Sequence, residues 1–291
     1  MKNTILGSIY LTLAASIWGG MYVVVKVVVA VIPPLELVWI RYLVAILALL
    51  IIGFSTRQKW RIAKRYFFII IAIGIIGNTI SIVAQETGTM LSTAQMGAII
   101  TSSTPAFMVI FARLFLKERL TIKKLLSVCL ATTGVFLIVG IGDIDLTSKL
   151  GGIALLIAAL TWALMSVLVK LLPSDYSQIV VTTYSISVAL VVLTPFVLPR
   201  LQVIDTSGWT HPTIWGGLLY LGIVSTAGGF LLWNRGLQML NASSGGIFFF
   251  FQPVVGTLLG WLILGESIGV TFWIGSILIV IGVLFIVREK K

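Results

Sequence analysis

The fold of this chain is decided by the stretch Ser92–Glu118, whose sequence is STAQMGAIITSSTPAFMVIFARLFLKE. It begins with small residues, carries a short polar run just before Pro105, and ends in an acidic residue after a long apolar segment. The same pattern returns 148 residues later, where Pro253 and Glu266 take the places of Pro105 and Glu118. Because a helix rises about 1.5 Å per residue, each proline lies roughly 20 Å from its glutamate, which puts it near mid-membrane when the glutamate marks an edge. A duplicated membrane bundle is therefore predicted.

The composition excludes a soluble globule. Of the 291 residues, 59% are hydrophobic and 10% are charged, whereas a soluble domain has about 25% charged residues. The mean hydropathy is +1.13. Apolar runs of about 18 residues or more are typical of transmembrane helices. Ten such runs are the predicted spans: Thr4–Val29, Pro34–Gly53, Tyr66–Glu86, Ser92–Arg113, Ile122–Gly140, Leu150–Lys170, Gln178–Val197, Thr213–Trp233, Ala242–Leu264 and Ile268–Val287.

The formal net charge of +11 comes from basic residues that crowd into short loops. Arg57–Arg65 lies between spans two and three, and Arg113–Lys124 lies between spans four and five. Both loops and the basic C-terminal tail fall on one side of a ten-span topology, and cytoplasmic loops are the ones that carry excess Lys and Arg. Both termini are therefore predicted to be cytoplasmic, in a multi-pass protein of the cell membrane. No nucleic-acid partner is expected.

A second internal repeat begins at the first span. Gly7–Lys26 matches Gly151–Lys170 at ten of twenty positions, including Trp18 with Trp162. Spans one to five thus correspond to spans six to ten. Because five is odd, the two halves have opposite orientations in the membrane, which is the architecture of many secondary transporters. The predicted fold is an all-α integral membrane protein of ten transmembrane helices, built from inverted five-helix repeats at residues 4–140 and 150–288.

These repeated motifs carry a family resemblance that extends over essentially the whole chain. They are the Ala-Ala-x-x-Trp stretches of spans one and six, the small-residue starts of spans four and nine, and the pairs Pro105/Pro253, Glu118/Glu266 and Gly134/Gly282. The layout resembles two EamA domains of the drug/metabolite transporter superfamily. The resemblance implies an exporter or exchanger of small metabolites or drugs, with a central cavity lined mainly by helices one, three, four, six, eight and nine. It does not identify the substrate.

Signatures of catalysis are absent from the sequence. There is no phosphate-binding glycine loop, no His-Glu-x-x-His and no Gly-x-Ser-x-Gly. The single histidine, His211, is predicted in a loop, and the single cysteine, Cys129, is predicted as a small buried residue of span five. We therefore expect no enzyme, no metal site and no cofactor. Transport would draw on a substrate or ion gradient, with the proton as a candidate coupling ion.

Polar and aromatic side chains at mid-span are the candidate binding residues. Asn78 and Gln252 need partners or water in hydrocarbon, so they either line a substrate cavity or make interhelical hydrogen bonds. Thr101–Thr104 lie at a similar depth, and the aromatic run Phe248–Phe251 must turn at least one ring inward. The candidate substrate-binding residues are Trp18, Tyr22, Asn78, Trp162, Phe248 and Gln252.

Two prolines and several charges complete the candidate list. Pro105 and Pro253 each remove a helical hydrogen bond and predict a kink. Glu118 and Glu266 are predicted to cap the helix that follows each of them. Other acidic and basic residues lie within the spans themselves.

Arg41 lies inside span two, where a lone arginine costs at least about 2.5 kcal/mol. Glu86, predicted at the end of span three, is a better partner for it than Glu36. The pair is a candidate coupling or gating element, or a static link between two spans.

The favoured function is a secondary transporter that exports or exchanges small amino-acid-like metabolites or drugs by alternating access. The alternative is a membrane protein without transport, such as a lipid-modifying enzyme or an assembly scaffold. The partners expected are a small-molecule substrate and the lipid bilayer.

Overall fold

The computed structural model describes residues 2–92, 94–139, 146–203, 206–264 and 269–287. Within these ranges every regular element is a helix. The first half contains α1 (Lys2–Val28), α2 (Pro34–Ser55), α3 (Lys64–Leu91), α4 (Ala94–Thr101), α5 (Thr104–Leu116) and α6 (Ile122–Val139). The second half contains α7 (Leu146–Val169), α8 (Gln178–Leu201), α9 (Pro212–Met239), α10 (Ala242–Gly246), α11 (Phe251–Leu264) and α12 (Val270–Val287).

Six of these helices, α1, α2, α3, α7, α8 and α9, are long and apolar enough to cross a membrane. Many large apolar side chains are exposed on the outside of the bundle, such as Ile51 and Phe68. A contiguous apolar exterior of this kind is suited to lipid. The protein is a multi-pass membrane protein.

Helices α4 and α5 together occupy predicted span four, and their separation has a local cause. Proline lacks an N–H, and its ring clashes with the carbonyl of the residue four positions earlier. For Pro105 that residue is Thr101, where α4 ends, and α5 then begins at Thr104 with the proline in its first turn. For Pro253 the corresponding residue is Phe249, which lies in a 3-10 turn between α10 and α11.

Two π-helical segments lie inside α3 and α9, and the sequence did not predict them. They cover Ile73–Ser81 and Tyr220–Gly228. In each segment a threonine hydroxyl donates to the carbonyl five residues earlier. Thr79 Oγ1 lies 3.0 Å from the oxygen of Gly74, and Thr226 Oγ1 lies 2.7 Å from the oxygen of Leu221. Widened turns of this kind are frequent at functional sites.

The helices around the centre pack as two groups. Helix α1 packs along α9 and α11, and we call these three the α1 group. Helix α7 packs along α3 and α5, which together form the α7 group. Glycines allow the close crossings: a Cβ on Gly88 of α3 would lie 2.8 Å from the backbone oxygen of Gly151 on α7. The candidate site lies between the two groups.

Three sequence predictions need correction here. Spans three and eight were predicted to end at Glu86 and Trp233, but α3 and α9 continue to Leu91 and Met239. Glu86 therefore lies inside α3 rather than at its end, and its ion pair with Arg41 of α2 compensates the burial of its charge. Cys129 is exposed on α6 rather than buried.

Candidate functional site

A cavity lies at mid-depth between the α1 group and the α7 group. The space open to the centre of a water molecule is about 20 Å³, where a single water needs about 10–15 Å³. In this conformation the cavity is therefore small, with room for about one water molecule. Its walls combine aromatic, polar and small residues: Trp18, Met21, Tyr22, Arg41, Ile82, Gln85, Thr101, Thr104, Ala158, Ala159, Trp162, Phe230, Phe249 and Gln252.

One wall is an aromatic cluster centred on Trp18. The two tryptophans matched by the internal repeat, Trp18 and Trp162, meet edge to face with their ring centroids 5.3 Å apart. Phe249 lies 5.6 Å from Trp18, and Phe230 lies 5.0 Å from Trp162. The indole N–H of Trp18 donates to the backbone oxygen of Ser225 at 3.0 Å, which fixes the orientation of its ring. Clusters of this kind offer apolar faces to a ligand.

The cavity also has a polar part, formed by buried polar atoms that have no hydrogen-bond partner among the described residues. Four of them belong to residues that line the cavity: Gln85 Nε2, Thr104 Oγ1, Trp162 Nε1 and Gln252 Oε1. A buried polar atom left unpaired costs about 1–3 kcal/mol, and hydrocarbon supplies no replacement partner. The cavity thus presents both donors and acceptors to whatever enters it.

Arg41 and Glu86 form a buried ion pair beside this cavity. Both side chains are fully buried, and Arg41 Nη1 donates to Glu86 Oε1. The guanidinium also reaches α9, where its Nε lies 2.9 Å from Thr226 Oγ1 and its Nη2 lies 3.4 Å from Ser225 Oγ. Glu86 Oε2 has no partner among the described residues. The arginine therefore joins α2 to α3 and α9, and one carboxylate oxygen stays available.

The polar run before Pro105 also reaches the cavity. The hydroxyl groups of Tyr22 and Thr101 share a hydrogen bond of 2.7 Å. Thr101 and Thr104 both line the cavity, one on each side of the interruption between α4 and α5. The interruption before the proline is therefore flanked by two of the lining side chains.

Two predicted binding residues lie outside the cavity lining. The backbone oxygen of Asn78 accepts a hydrogen bond of 2.5 Å from Tyr42 Oη, and its side-chain nitrogen has no partner among the described residues. Phe248 stacks on Phe251 at 6.4 Å, while its neighbour Phe249 faces the cavity. Phe248 therefore lies in the 3-10 turn Ile247–Phe250 but outside the lining, and its part in substrate binding stays a prediction.

Glu118 caps a helix, but not the one that follows it. Its Oε1 accepts from the backbone N–H of Ala242 at 2.8 Å, and its Oε2 accepts from Ser243 N at 3.3 Å and from the Ser243 hydroxyl. These groups begin α10, so the carboxylate stabilises the start of a helix from the other half of the chain. Lys124 Nζ lies 3.6 Å from the same carboxylate. The corresponding prediction for Glu266 falls outside the described residues.

Two features of the site were missed from the sequence. Glu36 is buried and pairs with Arg200 of α8, with Nε and Oε1 2.5 Å apart. Gln85 lines the cavity beside Glu86, and its position next to a paired acid in an apolar span was the available signal. The described part of the chain has no group of three His, Cys, Asp or Glu side chains that could hold a metal ion.

A helical membrane bundle with a mixed aromatic and polar cavity at mid-depth is the architecture of a membrane transporter. The model of the EamA-like transporter family matches this chain twice, at residues 5–140 and 149–288. The chain belongs to that family, so the resemblance seen in the sequence is confirmed.

Relatives and a solved structure agree with this assignment. The permease-like protein YdzE of Bacillus subtilis is 74% identical over 73 residues, which are 25% of this chain and 94% of that protein. An uncharacterized transporter of Archaeoglobus fulgidus is 29% identical over 284 residues, covering 97% of this chain and 99% of its own. A crystal structure with 18% sequence identity has a TM-score of 0.77 over 96% of this chain and 95% of that one. That likeness concerns the fold alone.

Proposed function

We propose that this protein is a secondary transporter with ten transmembrane helices in two inverted repeats. It exports or exchanges small amino-acid-like metabolites or drugs across the cytoplasmic membrane by alternating access. The observation that carries the proposal is the small cavity between the two helix groups, where unpaired polar atoms and an aromatic wall meet at mid-depth. Atoms of this kind are tolerated in a membrane where a substrate or water pairs with them.

Paired structural features support the inverted repeat. The two π-helical segments have equivalent places in α3 and α9. Gly74 of α3 packs on α8, where its Cβ would lie 2.6 Å from the oxygen of Ser185, and Gly222 of α9 packs on α2, 2.6 Å from Val44 Cγ1. Because α8 corresponds to α2 in the repeat, these are the same crossing made twice. Two similar halves that enclose one cavity are suited to rocking between two open states.

The charge balance of the cavity bears on the substrate. Arg41 is neutralised by Glu86, so the described lining adds no net charge. A neutral or zwitterionic solute would enter at lower electrostatic cost than one with an uncompensated charge. A zwitterion would place its carboxylate near Arg41, its ammonium group near Glu86 Oε2, and its apolar part against Trp18. This favours amino-acid-like solutes, while neutral apolar drugs fit the aromatic wall.

The test is a transport assay in liposomes that contain the purified protein. The liposomes are loaded with amino acids or neutral aromatic drugs, and uptake of a labelled solute of the same class from outside is measured. Gln252→Leu and Asn78→Leu are the informative variants. Gln252 lines the cavity and its Oε1 is unpaired, so its loss should lower the transport rate at least about tenfold, which corresponds to roughly 1.4 kcal/mol. A smaller effect is expected for Asn78, which lies outside the lining.

The matched control is Gln202→Leu, which makes the same chemical change at an exposed position at the end of α8. It should leave transport unchanged. Full transport by Gln252→Leu would mean that Gln252 only packs in the bundle and does not bind the substrate. Absence of transport by the wild-type protein for every solute class would favour the scaffold or lipid-enzyme alternative.

A further inference from the structure

Lys26, near the end of α1, binds the C-terminal end of α3. Its ammonium group donates to the backbone oxygens of Thr89 at 3.0 Å and Met90 at 3.2 Å, and also to that of Ser92. A lysine has three N–H donors, so one side chain uses all of them on one helix end. The last carbonyls of a helix lack partners within the helix, and the helix dipole favours a cation there.

Lys170, directly after α7, makes the corresponding contacts at the end of α9. Its ammonium group lies 2.7 Å from the backbone oxygen of Leu237 and 2.8 Å from that of Leu240. Leu237 and Leu240 stand 148 residues after Thr89 and Ser92, at the offset that relates the two halves. Lys170 is itself the repeat counterpart of Lys26. The same tie therefore occurs twice.

The two lysines lie at opposite ends of the cavity. Gly151, near the start of α7, packs on Gly88, one residue before the Lys26 contacts begin. Gly7, near the start of α1, packs on the end of α9, where a Cβ would lie 2.2 Å from Leu240 Cδ1. From Gly151 to Lys170 a helix rises roughly 28 Å. Lys26 therefore holds one end of the bundle, and Lys170 holds the other.

Each tie also crosses between the two helix groups. Lys26 belongs to α1 and bonds to α3 of the α7 group, whereas Lys170 follows α7 and bonds to α9 of the α1 group. The groups can separate at one end only if the lysine at that end gives up its carbonyl partners. In this conformation both sets of bonds are present.

We infer that Lys26 and Lys170 are the two gate residues of the transport cycle, each holding one end of the cavity closed. The inference rests on the proposed alternating-access function. Opening toward one side breaks one lysine–helix tie and keeps the other. The lysines are positioning residues, because they hold helices together and do not line the cavity.

The experiment measures access to the cavity from each side of the membrane. A reporter cysteine replaces Ala159, which lines the cavity, in a Cys129→Ser background. A membrane-impermeant thiol reagent is applied to vesicles of each orientation, with Lys26→Met or Lys170→Met added. Bonds to a charged donor each influence an equilibrium by more than about tenfold. Lys26→Met should raise the labelling rate at least about tenfold from the face where Lys26 lies, and Lys170→Met should do so from the opposite face.

Lys149→Met is the matched control, since Lys149 is exposed and makes none of these contacts; it should change neither rate. General unfolding would expose the reporter from both sides in both variants, so opposite effects of the two lysines identify gates. Equal labelling changes on both sides, or none, would overturn the inference. If the proposed function itself is wrong, the reporter without lysine changes will also fail to show substrate-dependent labelling, which separates the two failures.

Discussion

At the residue scale, the Arg41–Glu86 pair is costly to bury. Two charges removed from water repay their desolvation only when good hydrogen bonds satisfy them. Here the guanidinium of α2 is held by Glu86 of α3 and by Thr226 and Ser225 of α9, so the contacts join three helices. The pair therefore joins distant parts of the chain. That the pair also carries the coupling proton is a separate prediction, and it concerns function.

A double-mutant cycle tests whether the pair is structural. Removing one partner of a buried pair leaves an uncompensated charge, and the usual loss is about 3–5 kcal/mol of unfolding free energy. Glu86→Gln alone should therefore destabilise the protein by this amount, and Arg41→Gln added to it should recover part of the loss. Unfolding in mixed detergent gives both values. Strictly additive losses would show that the two charges are energetically independent.

A coupling role for Glu86 makes a different prediction. If this carboxylate takes up the coupling proton, Glu86→Gln will remain folded while its transport rate no longer depends on pH. Initial rates across a pH series in liposomes measure this. Asp175→Asn, which changes an exposed acidic residue, is the control and should keep the wild-type profile. A preserved pH profile in Glu86→Gln would assign proton coupling elsewhere.

At the element scale, helix ends are stabilised by charges from distant helices. Glu118 caps the start of α10. Lys170 binds the end of α9, which directly precedes α10 in the chain. The junction between α9 and α10 is thus held by an anion at a helix start and a cation at a helix end, as the helix dipole favours.

Loss of the Glu118 cap should have a measurable cost. A side-chain cap is worth about 1 kcal/mol, so Glu118→Ala should lower the unfolding free energy by roughly that amount. Glu118→Gln keeps an acceptor oxygen and should lose less. Thermal unfolding in detergent ranks the two, with Asp175→Ala as a neutral control. A loss in Glu118→Ala no larger than in the control would mean that the cap contributes nothing.

At the scale of the whole molecule, the essential feature is a cavity enclosed between two helix groups. Neither group closes it alone: Trp18 comes from α1, Trp162 from α7, and Gln252 from α11. Relative movement of the groups would therefore change the size and exposure of the cavity at once.

The orientation in the membrane is tested by cysteine accessibility. In the Cys129→Ser background, a cysteine in the Arg57–Lys64 loop should be shielded from an impermeant thiol reagent outside intact cells, because basic loops stay cytoplasmic. A cysteine at the C-terminal tail should behave likewise, and one near Asp143 should label readily; these two sites lie outside the described residues. Permeabilised cells provide the control in which all three label. Labelling of the basic loop in intact cells would reverse the predicted orientation.

The sequence by itself determined the class of protein and most of its helices. Long apolar runs predict membrane helices. Hydrocarbon contains no water to pair with backbone N–H and C=O groups, so these groups bond to one another within the helix. Repeated motifs such as Trp18 with Trp162 also predicted the family. Several of the residues predicted to bind substrate line the cavity. Local periodicity suffices for such inferences because they depend on neighbours in the chain.

Only the tertiary structure decided which side chains meet. Glu118 caps a helix 124 residues away rather than the next one, and Phe249 rather than Phe248 lines the cavity. The π-helical segments and the two lysine ties were equally invisible to periodicity. The Glu118 cap and the lysine ties depend on contacts between helices that are far apart in the sequence, and such contacts follow from packing rather than from local sequence pattern.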